Sequence, residues 1–226
     1  METDAYYKSP WLTEPDVTGD GEILTKYGEK HAINKGGVVY SQGDVVNEYI
    51  FFLLSGRIRI VSVSPKGEER TLSILEPGVF FGEAAFFDQN VRFASAEAIA
   101  PSEVLRFDRD SAMALLEEKP SYYHLIFKSM SQKIRILSMQ VEDLTFWPIE
   151  KRLCRLLLRL ISDFGVKTES GIALSVMVTD EQLGHLIGAR REAVTKTLGK
   201  MRKQGLLIKE SRRLVFTNLE LFKDFI

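Results

Sequence analysis

Gly184 and Gly188, inside residues 178–203, VTDEQLGHLIGARREAVTKTLGKMRK, leave this stretch few ways to fold. Leu183, Leu186 and Ile187 lie at helical spacing on one face. Gly184 interrupts that face, where glycine costs about 1 kcal/mol against alanine, so a close approach of another backbone is expected. Gly188 follows as the residue that ends the helix in the left-handed conformation. A second helix is expected from about Arg190 to Gln204, with Val194, Leu198 and Met201 turned inward. Arg191, Glu192, Thr195 and Lys196 then fall on the opposite side. Two short helices joined by so tight a turn form a helix–turn–helix, whose second helix enters the DNA major groove. Arginine is the commonest reader of guanine, and glutamate accepts from the cytosine amino group. The bland alternative is a helical hairpin with a solvated charged face.

The charge distribution favours the DNA reading. The chain carries a net charge of −1, but residues 149–226 hold fifteen Lys and Arg against nine Asp and Glu. A basic C-terminal third suits phosphate binding. The candidate DNA contacts are Thr179, Arg190, Arg191, Glu192, Thr195, Lys196, Lys200, Arg212 and Arg213. The last two belong to a wing, a hairpin expected where strands at 205–207 and 208–216 flank Glu210-Ser211-Arg212-Arg213. A short strand is expected at 172–178, a polar loop at 165–171, and a last short helix capped by Asn218 with Leu219, Phe222 and Phe225 inward.

Upstream the pattern changes. From about residue 31 to 107, glycine-containing turns recur between β-rich runs at 49–54, 57–63, 70–75 and 94–107. This is the signature of an all-β sandwich or barrel. Residues 1–20 show no periodicity and are expected to form a loose arm with Tyr6, Tyr7 and Trp11 available to a partner subunit, followed by a short helix before His31. Helices are expected at 108–118 and from about Tyr122 to Thr145. On the longer one, Ile126, Met130, Ile134, Leu137, Val141 and Leu144 recur at spacings near those of a coiled coil, with Lys128, Lys133, Arg135, Glu142 and Asp143 on other faces. A homodimer through that seam is the expectation, and packing against the chain's own β-domain is the alternative. Phe146-Trp147-Pro148 breaks the helix, and proline favours the first turn of a new one, running to about Phe164.

Three parts follow: residues 1–120 as a sensing β-domain with its arm, 121–147 as a dimerisation helix and hinge, and 148–226 as a winged helix–turn–helix. The single cysteine, Cys154, lies among leucines and excludes an internal disulfide or a cysteine-rich metal site; it is expected to be a buried, inert thiol. With no signal peptide and no membrane-spanning apolar run, the chain is expected in the cytoplasm and away from membranes. Three scattered histidines argue against a metalloenzyme.

This order of parts resembles the CRP/FNR superfamily of bacterial transcription regulators over nearly everything after residue 30. Arg191-Glu192 followed by Lys196 resembles the family's DNA-reading set, and Phe81-Gly82-Glu83 through Arg92 resembles its ligand cassette. The fold class the resemblance implies is α+β: an N-terminal double-stranded β-helix (a jelly-roll or β-roll), a long dimerisation helix and a C-terminal winged helix–turn–helix. It implies double-stranded DNA with an inverted-repeat operator as partner, and contact of the loop at 165–171 with RNA polymerase. It places the effector at Gly82, Glu83, Arg92, Phe93, Leu137 and Ser138, with Glu83 toward a ribose and Arg92 toward a cyclic phosphate. Phe93 stands where the family has a small residue, and Leu137-Ser138 where cyclic-AMP-responsive members have Thr-Ser. Leucine offers the purine no hydrogen bond, which leaves a polar group unpaired at a cost of about 1–3 kcal/mol. A small-molecule effector other than cyclic AMP, an aromatic or organic acid, is therefore expected. Cyclic-nucleotide control, ligand-independent action and haem control through His31 or His124 remain as alternatives. Glu83 and Arg92 also admit a plain mutual salt bridge, and Phe80, Phe81, Phe86 and Phe87 admit a role as core rather than pocket wall.

Overall fold

The run Ile50-Phe51-Phe52-Leu53 has no polar face, and a strand built from it must be covered on both sides. The structure, a computed structural model, describes residues 21–45, 48–210, 213–218 and 222. The expected N-terminal arm, and Arg212, Leu219 and Phe225, lie outside them. The described chain begins with α1 (Gly21–Tyr27), β1 (Glu29–Ile33), β2 (Val38–Tyr40) and β3 (Ile50–Ser55). There follow β4 (Ile58–Val63), β5 (Glu69–Leu75), β6 (Phe80–Phe81), α2 (Glu83–Asp88), β7 (Ser95–Ala98) and β8 (Ser102–Phe107). The β-domain is two antiparallel four-stranded sheets, ordered β1-β8-β3-β6 and β2-β7-β4-β5.

Side chains alternate across a strand, and β3 divides its load accordingly. Phe51 and Leu53 meet Ile58, Ile60, Leu75, Phe81, Ala96 and Val104 in the core between the sheets. Ile50 and Phe52 point the other way, to Leu24, Phe80, Leu105, Phe107 and the helices α3 (Arg109–Glu118) and α4 (Ser121–Phe146). Asp108 caps α3 by accepting from the Ser111 backbone N–H at 2.8 Å, which also lowers the Asp108 carboxyl pKa. The sequence placed one strand over 94–107; the structure has two, because Ile99, Ala100 and Pro101 make a turn between β7 and β8.

The chain divides into two compact units inside α4, one ending at Leu137 and the other beginning at Ser138. In the first, Ile126 is 3 % exposed and joins the core against Tyr122, Phe80 and Leu116, with Met130 partly buried beside it. Assignment of Ile126 to an intersubunit seam is thereby corrected: its own β-domain takes it, and Met130 is shared between that core and the helix surface. Lys133 also leaves the solvated face expected of it, pairing instead with Glu83.

In the second unit α4 ends beside α5 (Ile149–Phe164), with Pro148 as its N-cap. Asp143, expected on a charged outer face, is held by Arg155 Nε at 3.1 Å and Arg159 at 3.4 Å. Its side chain is mostly buried, and that of Arg159 more so. Burial lowers the Arg159 pKa, and the Asp143 charge opposes that shift. Lys151 and Arg155 stack over the Trp147 ring at 4.6 Å and 5.7 Å.

The polar loop expected at 165–171 is instead a hairpin, β9 (Gly165–Thr168) with β10 (Gly171–Leu174), and β10 stops four residues short of the expected strand end at Val178. Thr168 Oγ1 donates to Gly171 O at 3.0 Å across the turn, a local closure that apolar alternation does not reveal. Then come α6 (Asp180–Ile187), α7 (Arg191–Lys203), β11 (Leu207–Glu210) and β12 (Arg213–Phe216), with sheet order β11-β12-β10-β9. Leu183, Leu186, Ile187, Val194, Leu198 and Met201 are all buried, as their spacing requires, and Phe222 is buried against Phe216. A Cβ on Gly184 would stand 2.5 Å from the Ala189 carbonyl oxygen. Gly184→Ala is therefore expected to lose about 1–3 kcal/mol through overpacking, more than the about 1 kcal/mol of helix propensity it gains. A urea melt checks the sign: greater stability in the variant would contradict the close approach.

Candidate effector cavity and nucleic-acid interface

The cassette loop is shaped by Gly82, whose φ of 77° suits glycine, and whose added Cβ would meet Arg92 Nη1 at 2.9 Å. Arg92 is 3 % exposed. Its Nη1 donates to Gly82 O at 2.5 Å and its Nη2 to Tyr49 O at 2.6 Å, while the guanidinium lies 4.5 Å from the Tyr40 ring centre. Its Nε is buried without a hydrogen-bond partner. Desolvation lowers the Arg92 pKa, against the raising influence of Tyr40 and Glu83. Burial likewise pushes the Tyr40 hydroxyl up, helped by the Glu83 charge.

Glu83 does not pair with Arg92. Its Oε1 accepts from Lys133 Nζ at 2.9 Å, and the same ammonium donates to Phe80 O at 2.9 Å. The mutual salt bridge is thus excluded in favour of a pair that joins the cassette to α4. Two cations and one carboxylate leave a net positive charge beside a cavity of ≈ 70 Å³, room for about five water molecules. Its walls are mostly apolar: Tyr40, Ile60, Leu72, Phe81, Phe93, Ala94, Ile136 and Leu137 contribute. Gly82, Glu83, Arg92, Phe93 and Leu137, all expected at an effector site, line this one space; Ser138 does not, and is exposed. Phe80 and Phe86 are core, Phe81 is both core and wall, and Phe87 is partly exposed. Sequence reasoning missed Tyr40, Lys133 and Ile136.

Other sensing groups find different surroundings. His31 Nε2 lies 3.2 Å from Glu29 on the same strand, and His124 is exposed on α4; neither lines the cavity. Among the described residues no three His, Cys, Asp or Glu side chains converge as metal ligands. Cys154 is fully buried, and burial, aided by Glu150, pushes its thiol up to about 12 from an ordinary value near 9. The neutral thiol is the form that burial favours, so the unfolded chain ionises first. Stability is expected to be unaffected by this group below about pH 9 and to fall between about pH 9 and pH 12. At pH 8, iodoacetamide is expected to modify Cys154 only after denaturation, with intact mass as readout; rapid labelling of the folded chain would contradict its inertness.

In the second unit, Thr179 caps α6 by accepting from the Gln182 N–H at 3.1 Å, while Gln182 Oε1 accepts from the Thr179 N–H at 2.9 Å. This capping box is legible in the sequence as Thr followed three residues later by Gln. Gly188, with φ 63°, ends α6, and the Ala189 N–H returns to Gly184 O at 3.0 Å. Arg190 occupies the N-cap position of α7 without a side-chain capping bond. Arg191, Glu192, Thr195, Lys196 and Lys200 are all exposed on α7, opposite Val194, Leu198 and Met201. Thr195 Oγ1 donates to Asp180 Oδ2 at 2.5 Å, so it also ties α7 to α6. Arg213 is exposed where β12 begins, in register with Glu210.

Comparison with known proteins agrees with this arrangement. A cyclic nucleotide-binding domain model matches residues 30–119, and a Crp-like helix-turn-helix domain model matches residues 151–225. A Global nitrogen regulator of Nostoc is 30 % identical over 171 residues, 75 % of this chain and 76 % of its own. A CRP-like cAMP-activated global transcriptional regulator of Mycobacterium tuberculosis is 26 % identical over 197 residues, 87 % of this chain and 88 % of its own. Among solved structures, a CooA mutant from Carboxydothermus hydrogenoformans superposes with a TM-score of 0.76 at 23 % identity, covering 92 % of each chain. A β-roll with its cassette, a long helix and a basic-faced helix–turn–helix, matched by both domain models and by regulators over most of its length, make this chain a member of the CRP/FNR family of DNA-binding transcription regulators.

Proposed function

We propose that the protein is a homodimeric, sequence-specific regulator whose affinity for an inverted-repeat operator is set by a small organic acid in the cavity against α4. The observation that carries the effector reading is the Glu83–Lys133 pair. It engages one oxygen of the carboxylate that a ribose hydroxyl would need and leaves the buried Arg92 as the charge for an anion, within mostly apolar walls. A compact monoanion with an aliphatic or aromatic body fits that balance better than a nucleotide. Leu137 supports the same choice, since it gives a purine no hydrogen-bond partner.

The seam proposed for the dimer is adjusted by burial. With Ile126 in the core, Phe127, Ile134 and Val141 repeat at intervals of seven, as do Met130, Leu137 and Leu144. Phe127, Ile134, Leu137, Val141 and Leu144 are 40–63 % exposed in the single chain. Ile134 and Val141, β-branched at one seam position, with Leu137 and Leu144 at the other, favour two parallel strands. The hinge at 146–148 then carries a change in the helices to the DNA-reading units, provided ligand binds one arrangement better than the other. On DNA, Arg191 reads a guanine, Glu192 a cytosine and Lys196 a second guanine or a phosphate, while Arg190, Lys200 and the wing arginines meet phosphates. The β9–β10 hairpin is the surface that the family resemblance assigns to RNA polymerase.

A second reading, control by cyclic AMP, has a specific support: the Mycobacterium tuberculosis relative is described as cAMP-activated. The deciding experiment is binding to a duplex enriched from a random pool, at fixed salt, alone, with cyclic AMP, and with a panel of aliphatic and aromatic monocarboxylates. Enhancement or release by a monocarboxylate alone is the expected result. An effect of cyclic AMP would replace this reading, and strong binding insensitive to every addition would make the β-domain a scaffold.

A further inference from the structure

Arg152, in the first turn of α5, grips the turn of the helix–turn–helix from outside the motif. Its Nη1 donates to Ile187 O at 2.7 Å and stands 3.5 Å from Gly188 O. These carbonyls close α6, where unpaired acceptors and the negative end of the helix dipole gather. A charged donor is the strongest partner for them. The peptides it holds lie just ahead of Arg191 and Glu192, with the left-handed Gly188 and Ala189 between α6 and the start of α7. Two hydrogen bonds within the motif also restrain this corner, Ala189 N–H to Gly184 O at 3.0 Å and Thr195 to Asp180 at 2.5 Å. Arg152 ties the turn to α5, the helix whose Arg155 also reaches Asp143 and Trp147. It is half-buried and engaged with carbonyls, unlike the exposed Arg191 and Lys196, so its charge faces the protein rather than a phosphate.

We propose that Arg152 is a positioning residue for base reading: by fixing the α6 C-terminus it sets the angle at which α7 presents Arg191 and Glu192 to the groove. The inference rests on α7 being the DNA-facing helix.

The test uses full-length wild type, Arg152→Gln and Arg152→Lys, with a duplex enriched by the wild type from a random pool and a scrambled duplex, across a salt series. Arg152→Gln is expected to lose about tenfold on the enriched duplex, the size of one charge-assisted hydrogen bond's effect, while binding the scrambled duplex within about twofold of wild type. The salt slope should stay unchanged, and Arg152→Lys, which keeps a cationic donor, should recover most of the loss. Equal losses on both duplexes would overturn the proposal. So would a salt slope reduced by about one, the mark of a lost phosphate contact. A lower melting temperature with an unchanged ratio between the duplexes would reduce Arg152 to a structural staple and overturn it as well. Should the wild type enrich no sequence, the DNA-reading assignment itself fails. Hydrogen exchange at the Ala189 amide then still tests the grip: faster exchange in Arg152→Gln upholds it, and unchanged exchange removes it.

Discussion

Arg191→Ala is expected to weaken binding to the preferred duplex by about 1–3 kcal/mol and to relax one base preference in each half-site. The side chain is exposed at the first position of α7, so its removal leaves no cavity and breaks none of the buried contacts of Val194, Leu198 or Met201. Folding stability should therefore change little. Binding to scrambled DNA should change far less than binding to the preferred site, because phosphate contacts carry the sequence-independent affinity. Competition titrations with single-base variants of the enriched duplex read the effect directly. Equal weakening on every duplex would identify Arg191 as a phosphate contact instead.

Val141→Glu is expected to have the second large effect, on assembly and through it on DNA. Val141 is 63 % exposed in the single chain, so a carboxylate there disturbs no core of the monomer. In a parallel pair of α4 helices the same position would bring two carboxylates together in an apolar seam. Light scattering at micromolar concentration should show a monomer, and a linked pair of half-sites would then be read one at a time. Loss of that linkage is worth about 10²–10⁴ in apparent affinity. Retention of both the dimer mass and the operator affinity would remove α4 as the interface. Binding to a single half-site should be nearly unchanged, which separates lost assembly from a damaged DNA surface.

The helix–turn–helix was readable from sequence because its signals are local. Apolar spacing at Leu183, Leu186, Ile187, Val194, Leu198 and Met201 named the inner face, and Gly184 and Gly188 marked the close approach and the turn. The β-domain was readable as a class from its turns, yet the hairpin at 165–174 and the break between β7 and β8 were hidden in polar or small-residue stretches. The cavity was half legible. Glu83 and Arg92 stood out by motif, but Lys133 lies 50 residues from Glu83 along the chain, and no helical periodicity says that a charged side chain will find a distant partner. Asp143 was misread for the same reason, since its arginines arrive only after the break at Pro148. The shift of the proposed seam from Ile126 to Phe127 has another cause. Adjacent positions on a helix lie about 100° apart, and only the packed β-domain decides which of the two it absorbs.

Leu137 forms part of the cavity wall and, at 40 % exposure, also reaches the outer surface of α4 along the line of Ile134, Val141 and Leu144. With the effector and the dimer proposed above, this one side chain serves two selective pressures. A change that recruits a different effector at this position also alters what the helix offers to its neighbour, so ligand choice and assembly strength cannot drift independently there. Ile60, Leu72 and Ala94 line the same space from the β-domain and belong to no helix seam. Regulators descended from this one should therefore diversify their effectors first on the sheet side of the cavity and keep Leu137 as the slow-changing residue.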